Sequence, residues 1–507
     1  MSRIQNAMVN TVFSFSVNLY RALVPFIMRT VMLHTIGIEY LGLNGLFTSV
    51  LQILSISELG VASALVYSMY EPVAKNDKGK LCALLRLYRL LYGIIGGAVF
   101  LLGAALLPFL PKLISSEVPP DINIYVLYMM YLVSTALSYS VFSYRSSLLE
   151  AYQHNYVINR INLVTMTVQF SLQITFLLLF KNYYIYILTQ FLVQIVNQTA
   201  VYLTVRKRYP DIRPSGKIDR QMMHTVFYKV KGLFFGKVSG IILTSSDTII
   251  ISMFLGLTTL AIYQNYFFIV YAIIGFISSI ISGSMAGIGN SLVTETVEKN
   301  YQGMRLFSFV MSWIVCVCTN CFLVLFQPFM KIWMGEDKML PMAMVICFCL
   351  YFFVYEYNQI FNLYKDSAGL WHEDRFRPLV TSLVNLSLNL LSVKYLGLYG
   401  IIASTVISIL FVGMPWLLKN LSRYLFRRSM SEYLKDLAGY TAVTVISCGI
   451  SFFAADCLNC DGLIGLLING IVAVCVPTGM YLIFYRKNAH FEKSLLLAKS
   501  LLSARKK

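Results

Sequence analysis

The stretch NTVFSFSVNLYRALVPFIMRTVML, residues 10–33, is long enough and apolar enough to cross a bilayer, which takes about 20 residues, yet it is not uniformly oily. Asn10, Ser14, Asn18, Arg21, Pro25 and Arg29 recur at intervals of three or four, which puts all six on one face of a 3.6-residue helix, with Phe, Leu, Val and Ile opposite. A helix surrounded by lipid has no use for such a stripe. Two environments satisfy it: a neighbouring helix, to which the side chains hydrogen-bond at about 0.6 kcal/mol each, or a water-filled cavity inside a helical bundle.

The rest of the chain repeats this design. It has 507 residues, 58% apolar and 13% charged, against about 45–50% and about 25% in soluble domains. Apolar stretches recur near 10–33, 41–66, 88–110, 122–147, 161–180, 184–205, 233–255, 262–290, 306–330, 342–364, 378–393, 398–418, 438–456 and 462–485. The expectation is an all-α polytopic membrane protein of about fourteen transmembrane helices. The first stretch carries two arginines and no small-residue cleavage site, so it is expected to stay as a helix.

The formal net charge of +18 would fit nucleic acid in a soluble protein, but here it is topological. With the N-terminus inside, 34 of the 41 Lys and Arg fall on the inner side and five, Lys112, Lys181, Lys331, Lys338 and Lys394, outside; by the positive-inside rule both termini are cytoplasmic. A basic inner face meets anionic membrane lipids, and no nucleic acid is needed. The longest inner connection, 206–232, is basic and holds Pro210, Pro214 and Gly216. It reads as a linker between an N-terminal six-helix lobe, 1–205, and a C-terminal one, 233–418, followed by a basic loop at 419–437, two more spans within 438–485 and a basic tail, 486–507. A weak internal likeness accompanies this division. Gly37-Ile38 followed by Leu41-Gly42-Leu43 parallels Gly256-Leu257 followed by Leu260-Ala261-Ile262, each at an outer turn, and Tyr40-Leu41-Gly42-Leu43 parallels Tyr395-Leu396-Gly397-Leu398.

Polar stripes also run along helix 2 (Asn44, Thr48, Gln52, Ser55), helix 5 (Asn162, Thr165, Gln169, Gln173), helix 6 (Gln190, Gln194, Asn197), helix 10 (Tyr351, Tyr355, Asn358, Asn362) and helix 11 (Thr381, Asn385, Asn389, Ser392). One stripe is readily explained as packing; six together favour a shared aqueous cavity. Arg21 and Arg29 each cost about 2.5–3.5 kcal/mol at the membrane centre and need water, a carboxylate or an anionic ligand. Arg29, near an outer end, has snorkelling as its alternative. Asn18, Arg21, Arg29, Gln52, Gln169, Gln173 and Asn385 are therefore the candidate cavity residues, and Asp247, Glu58 and Glu356 the candidates for ion coupling or charge pairing, with satisfied structural carboxylates as the alternative. Most of the ten cysteines read as small hydrophobes; Cys457 and Cys460 fall at an outer loop where a disulfide is open. No Walker A loop, HExxH or GxSxG is present, so no cofactor and no enzymatic chemistry is expected.

On the helix 1 arginine, the runs Ile36-Gly37-Ile38-Glu39-Tyr40-Leu41-Gly42-Leu43 and Glu58-Leu59-Gly60-Val61-Ala62-Ser63-Ala64, and Asp247 followed by Leu255-Gly256, the chain resembles the multidrug/oligosaccharidyl-lipid/polysaccharide (MOP) exporter superfamily, in its polysaccharide-transporter branch of Wzx-like repeat-unit flippases. The resemblance implies two six-helix lobes around a V-shaped cavity, two further C-terminal helices and alternating access in a bacterial cytoplasmic membrane. It implies a polyprenyl-pyrophosphate-linked oligosaccharide as cargo, and a polysaccharide polymerase and glycosyltransferases as partners. A cation-coupled multidrug exporter of the same superfamily is the alternative. Peptidoglycan-precursor flippases of this superfamily carry cavity arginines on helices 1, 2 and 8; only Arg21 matches here, which argues against that cargo.

Overall fold

The computed structural model describes residue 20 and residues 23–58, 60–140, 143–458, 462–488 and 490–494. Asn18 and Arg21, and the Cys457–Cys460 pairing through Cys460, lie outside the described residues. Among the described residues the chain is helical, without strands. The helices are α1 (Leu23–Thr35), α2 (Ile38–Leu54), α3 (Val61–Ala74), α4 (Lys78–Ala105), α5 (Ile124–Ser140), α6 (Ser146–Ala151), α7 (Asn155–Phe180), α8 (Tyr183–Arg208), α9 (Arg220–Thr294), α10 (Val297–Met334), α11 (Met342–Ser367), α12 (Arg377–Leu396), α13 (Leu398–Ser408), α14 (Met414–Asn420), α15 (Ser431–Leu458) and α16 (Gly462–Tyr485). They fall on the fourteen expected stretches, because α2 and α3 share one stretch, α13 and α14 continue through π turns, and α9 breaks in two at Gly256. Leu101, Phe180, Leu391, Phe411 and Phe453 stand with most of their surface exposed, a pattern tolerable only when lipid is the solvent.

The inner helix ends reach beyond the apolar stretches. α4 begins at Lys78, not near 88, because the Asp77 carboxylate caps it by accepting from the Lys80 amide at 2.9 Å. α10 begins at Val297 because the Thr296 hydroxyl accepts from the Lys299 amide at 3.3 Å. Short polar side chains that meet otherwise unpaired N–H groups start a helix wherever they stand, inside the bilayer or out of it.

The chain forms two compact units, Met1–Ala261 and Ile262–Lys507, so the boundary lies inside α9 rather than at 206–232. In the first unit α4 lies along α5, α7 along α8, and α5 touches both α2 and α8. The basic connection is laid over the start of α4. Lys78 pairs with Asp211 at 2.8 Å, Arg86 donates to the Gly216 carbonyl at 2.6 Å, and Ile212 is buried. Beside it Tyr152 stacks on Tyr209, and His154 Nδ1 meets the Tyr209 hydroxyl at 2.7 Å. Burial, and after it the Arg208 charge, holds the His154 imidazole below its ordinary value of 6.5. A depressed histidine favours the folded form while neutral, and that preference is lost as pH falls from 6.5 toward the lower, folded value. Protection factors for amide exchange over 209–219, each corrected for the intrinsic rate at its pH, should therefore fall below about pH 6.5 in the native chain and lose that dependence in His154→Phe.

The first half of α9 belongs to this unit because it is fastened there at one end. Ser115 donates through both its amide and its hydroxyl to the Ser252 carbonyl, each at 3.1 Å, and the Ser252 hydroxyl returns to Leu113 O at 2.7 Å. The Leu257 amide donates to Ser116 Oγ at 3.1 Å. Gly42 of α2 lies so close that a Cβ there would stand 2.4 Å from the Leu257 carbonyl oxygen. The paired motifs agree in backbone: Gly37 has φ 116° and ψ 171°, Gly256 φ 85° and ψ 172°, a region essentially confined to glycine.

In the second unit α10 is the axis, touching α11, α15 and α16, while α12 lies along α13. Phe309 and Cys316 are buried against Tyr440, Val443 and Tyr481 of the last two helices, and Asn320 Nδ2 donates to Ser447 Oγ at 3.0 Å. The two C-terminal spans are thereby built into this unit.

Candidate functional site: a polar cavity in the first unit

Three helices of the first unit turn hydroxyls and amides toward one cavity of about 480 Å³. α2 supplies Thr48 and Gln52, and Ser55 follows at its end, the face expected from their spacing. α8 supplies Gln190 and Gln194, and α5 supplies Tyr131, Ser134, Thr135 and Ser138. Thr48 and Gln52 are exposed although they sit inside an apolar helix; the surface they expose is cavity. Volumes of this order are typical of ligand pockets.

The walls are cross-linked by hydrogen bonds. Ser134 donates to Gln194 Oε1 at 2.8 Å, Gln198 donates to the Ser138 carbonyl at 3.2 Å, and Tyr131 donates to Asn44 Oδ1 at 2.8 Å. Ser245, on the first half of α9, donates to Gln52 Oε1 at 3.1 Å, which leaves the Gln52 amide N–H groups for other acceptors. Among the described residues, none that lines the cavity carries a charge. An arrangement of fixed amides and hydroxyls with no net charge is suited to a neutral, hydroxyl-rich guest whose hydration it replaces.

Just past this lining the α2–α3 stretch breaks. Residues Ser55–Glu58 form a 3₁₀ turn and Gly60 takes φ 87°. Glu58 is half-buried there and accepts from the Tyr92 hydroxyl at 2.6 Å. Asp247, two residues beyond Ser245, is buried in the same unit.

The other expected residues stand elsewhere. Gln173 is fully buried and donates to the Tyr186 carbonyl at 3.2 Å, while Gln169 donates to Gln173 Oε1 at 3.4 Å. Asn197 donates to Asn162 Oδ1 and Thr165 Oγ1 at 3.0 and 2.6 Å. The helix 5 stripe is thus met by α8 as an interhelical seam. Arg29 is half-buried near Tyr186. In the second unit, Asn385 is fully buried and donates to Thr405 Oγ1 at 2.9 Å, a second seam, between α12 and α13. Glu356 is fully buried in α11, and among the described residues neither carboxylate oxygen has a hydrogen-bond partner. The α5 contribution escaped the sequence reading, although Tyr131, Ser134 and Ser138 follow the same spacing of three and four as the other stripes.

The chain matches the polysaccharide biosynthesis protein family over residues 7–286. No curated protein sequence matches it. Three solved structures share its fold. The lipid II flippase MurJ in an inward closed conformation is 15% identical, with 95% of this chain and 99% of that chain covered at a TM-score of 0.68. An inward-facing multidrug resistance MATE transporter of the MOP superfamily is 13% identical over 80% and 97% at 0.62. A MATE transporter of Vibrio cholerae is 12% identical over 84% and 99% at 0.56. A helical fold of the MOP type accompanies the family match over more than half of the chain, and that match places this protein in the polysaccharide biosynthesis protein family.

Proposed function

We propose that the protein carries a polyprenyl-pyrophosphate-linked oligosaccharide from the cytoplasmic to the outer leaflet for assembly of a cell-surface polysaccharide, with the glycan passing through the cavity between α2, α5 and α8. The observation that carries this reading is the cavity lining: among the described residues it holds nine polar side chains and no charged one, in a family of polysaccharide biosynthesis proteins. Each hydroxyl taken unpaired into hydrocarbon costs about 4–8 kcal/mol, so a glycan with about ten of them faces tens of kcal/mol. Gln52, Ser134, Gln190 and Gln194 replace that lost water. The polyprenyl chain stays in lipid, and Arg21 and Arg29 meet the pyrophosphate by charge-assisted hydrogen bonds.

The inner position of the basic segments supports cytoplasmic termini, which makes the end fastened by Gly42, Ser115 and Gly256 the outer one. Alternating access then consists of making and breaking that fastening. An inside-negative potential favours outward movement of the anion by about 2.3 kcal/mol per charge per 100 mV. Asp247, Glu58 and Glu356 are the groups that would couple the cycle to a proton or cation. A drug exporter of the same fold would be expected to set acids among the lining residues of the first-unit cavity, and among the described residues that lining has none.

Two outcomes test this. The double variant Gln52→Leu, Gln194→Leu should insert normally yet lower surface polysaccharide about tenfold or more, since two lost partners cost about 1–3 kcal/mol each; undiminished export removes the cavity from the path. Glu356→Gln, which forfeits no hydrogen bond seen in the structure, should leave the melting temperature unchanged and flatten the pH dependence of export. Unchanged pH dependence would make Glu356 structural.

A further inference from the structure

A second cavity, of about 550 Å³, opens in the first unit where α3 ends, α4 begins and α9 begins. Its lining includes Tyr67, Tyr70, Glu71, Lys80, Asp219 and Gln221. Tyr67 and Tyr70 are 63% and 46% exposed, one helical turn apart, with ring centroids 6.0 Å apart at 73°. Tyrosines at the end of a membrane helix ordinarily form a belt facing lipid headgroups. These two instead share a hollow with two carboxylates and an amide, a mixture no lipid-facing surface would carry.

The charges nearly cancel. Glu71 is paired to Lys75 at 2.7 Å, and Asp219 shares the hollow with Lys80. Among the described residues, with Lys75 counted beside Glu71, neither sign is in surplus, so they select neither a phosphate nor an organic cation. It offers exposed ring faces for the C–H face of a sugar, and carboxylate, ammonium and amide groups for its hydroxyls. The same stretch of chain borders both hollows: Tyr67 is seven residues beyond Gly60, about 10 Å along the helix, and Ser55, which opens the 3₁₀ turn before Gly60, lines the deep cavity.

We propose that Tyr67, Tyr70, Glu71, Asp219 and Gln221 form a loading subsite at the cytoplasmic end that holds the glycan of the lipid-linked cargo before it enters the deep cavity. This rests on the flippase reading. The test places a benzophenone amino acid at position 67 in the full-length chain, in cells fed radiolabelled sugar, and irradiates them. The subsite predicts capture of radiolabelled sugar that stays on the protein after mild acid, since acid cleaves the glycosyl pyrophosphate and removes only the prenyl tail from a glycan held by the crosslink. It also predicts that Tyr67→Ala, Tyr70→Ala lowers the initial rate of export about tenfold, while Tyr67→Phe, Tyr70→Phe stays within twofold of the native chain. Capture of phospholipid or of another protein alone, capture only of label that mild acid releases, or unchanged export by the Ala pair overturns the subsite and leaves the flippase reading intact if Gln52→Leu, Gln194→Leu still lowers export about tenfold or more. Undiminished export by that deep-cavity pair is the separate result that sinks the broader reading.

Discussion

Arg377→Ala should cost about 3–5 kcal/mol of stability, the range for breaking a buried ion pair from one side. Arg377 and Asp374 are 5% and 2% exposed. The guanidinium grips the carboxylate twice, Nε to Oδ1 and Nη2 to Oδ2, both at 2.7 Å, and Nη2 also donates to Asn362 Oδ1 at 2.9 Å. Asn420 adds a bond to Asp374 Oδ1 at 3.1 Å, and Lys365 stands at 3.8 Å from Oδ2. Removing Arg377 leaves a carboxylate out of water with a distant ammonium for compensation. The same contacts tie the end of α11 to the start of α12 and to α14. Thermal unfolding in detergent should therefore fall by several degrees, and Asp374→Ala should act in the same direction. Because most of the penalty is the stranded partner, the double variant Arg377→Leu, Asp374→Leu should lose less than the sum of the two single changes.

Gly42→Val is expected to cut export at least tenfold without comparable loss of folded protein. A Cβ at position 42 would meet the Leu257 carbonyl oxygen at 2.4 Å and its carbonyl carbon at 3.0 Å. Backbone cannot yield as a flexible side-chain tip does, so the α2–α9 fastening must open. The variant is then biased away from the state in which this end is closed, and a carrier held in one state does not cycle. A cysteine placed near Ser116 should become more reactive toward an impermeant thiol reagent from outside. Gly93→Val is the control, since nothing stands within 4 Å of its Cβ position, and it should export normally.

Much of this was legible in the sequence, for reasons that differ by feature. The fourteen stretches could be read because lipid leaves the backbone no alternative to helices. The α2 face of the cavity could be read because Thr48, Gln52 and Ser55 recur every three or four residues along an otherwise apolar stretch. What periodicity cannot decide is whether a polar stripe meets water or another polar stripe. Gln173 and Asn385 have the same spacing as Gln52, yet one donates to the Tyr186 carbonyl and the other to Thr405. That distinction depends on which helix lies opposite, a tertiary fact. The expected division at 206–232 followed Pro, Gly and charge; the compact units instead follow the contacts of Ser252 and Leu257, which composition does not reveal. The buried Asp374–Arg377 pair was hidden among loop charges, because a count of charges along the sequence carries no depth.

The central claim is that water enters the first unit between α2, α5 and α8. In a cysteine-free background, single cysteines at Thr48, Ser134 and Gln194 should react with a small charged thiol reagent, and cysteines at Leu192 and Val196, whose side chains are more than half exposed on the apolar surface, should not. Reaction at the first three and silence at the last two is the result the account predicts. Silence at all five positions from both sides of the membrane would contradict it.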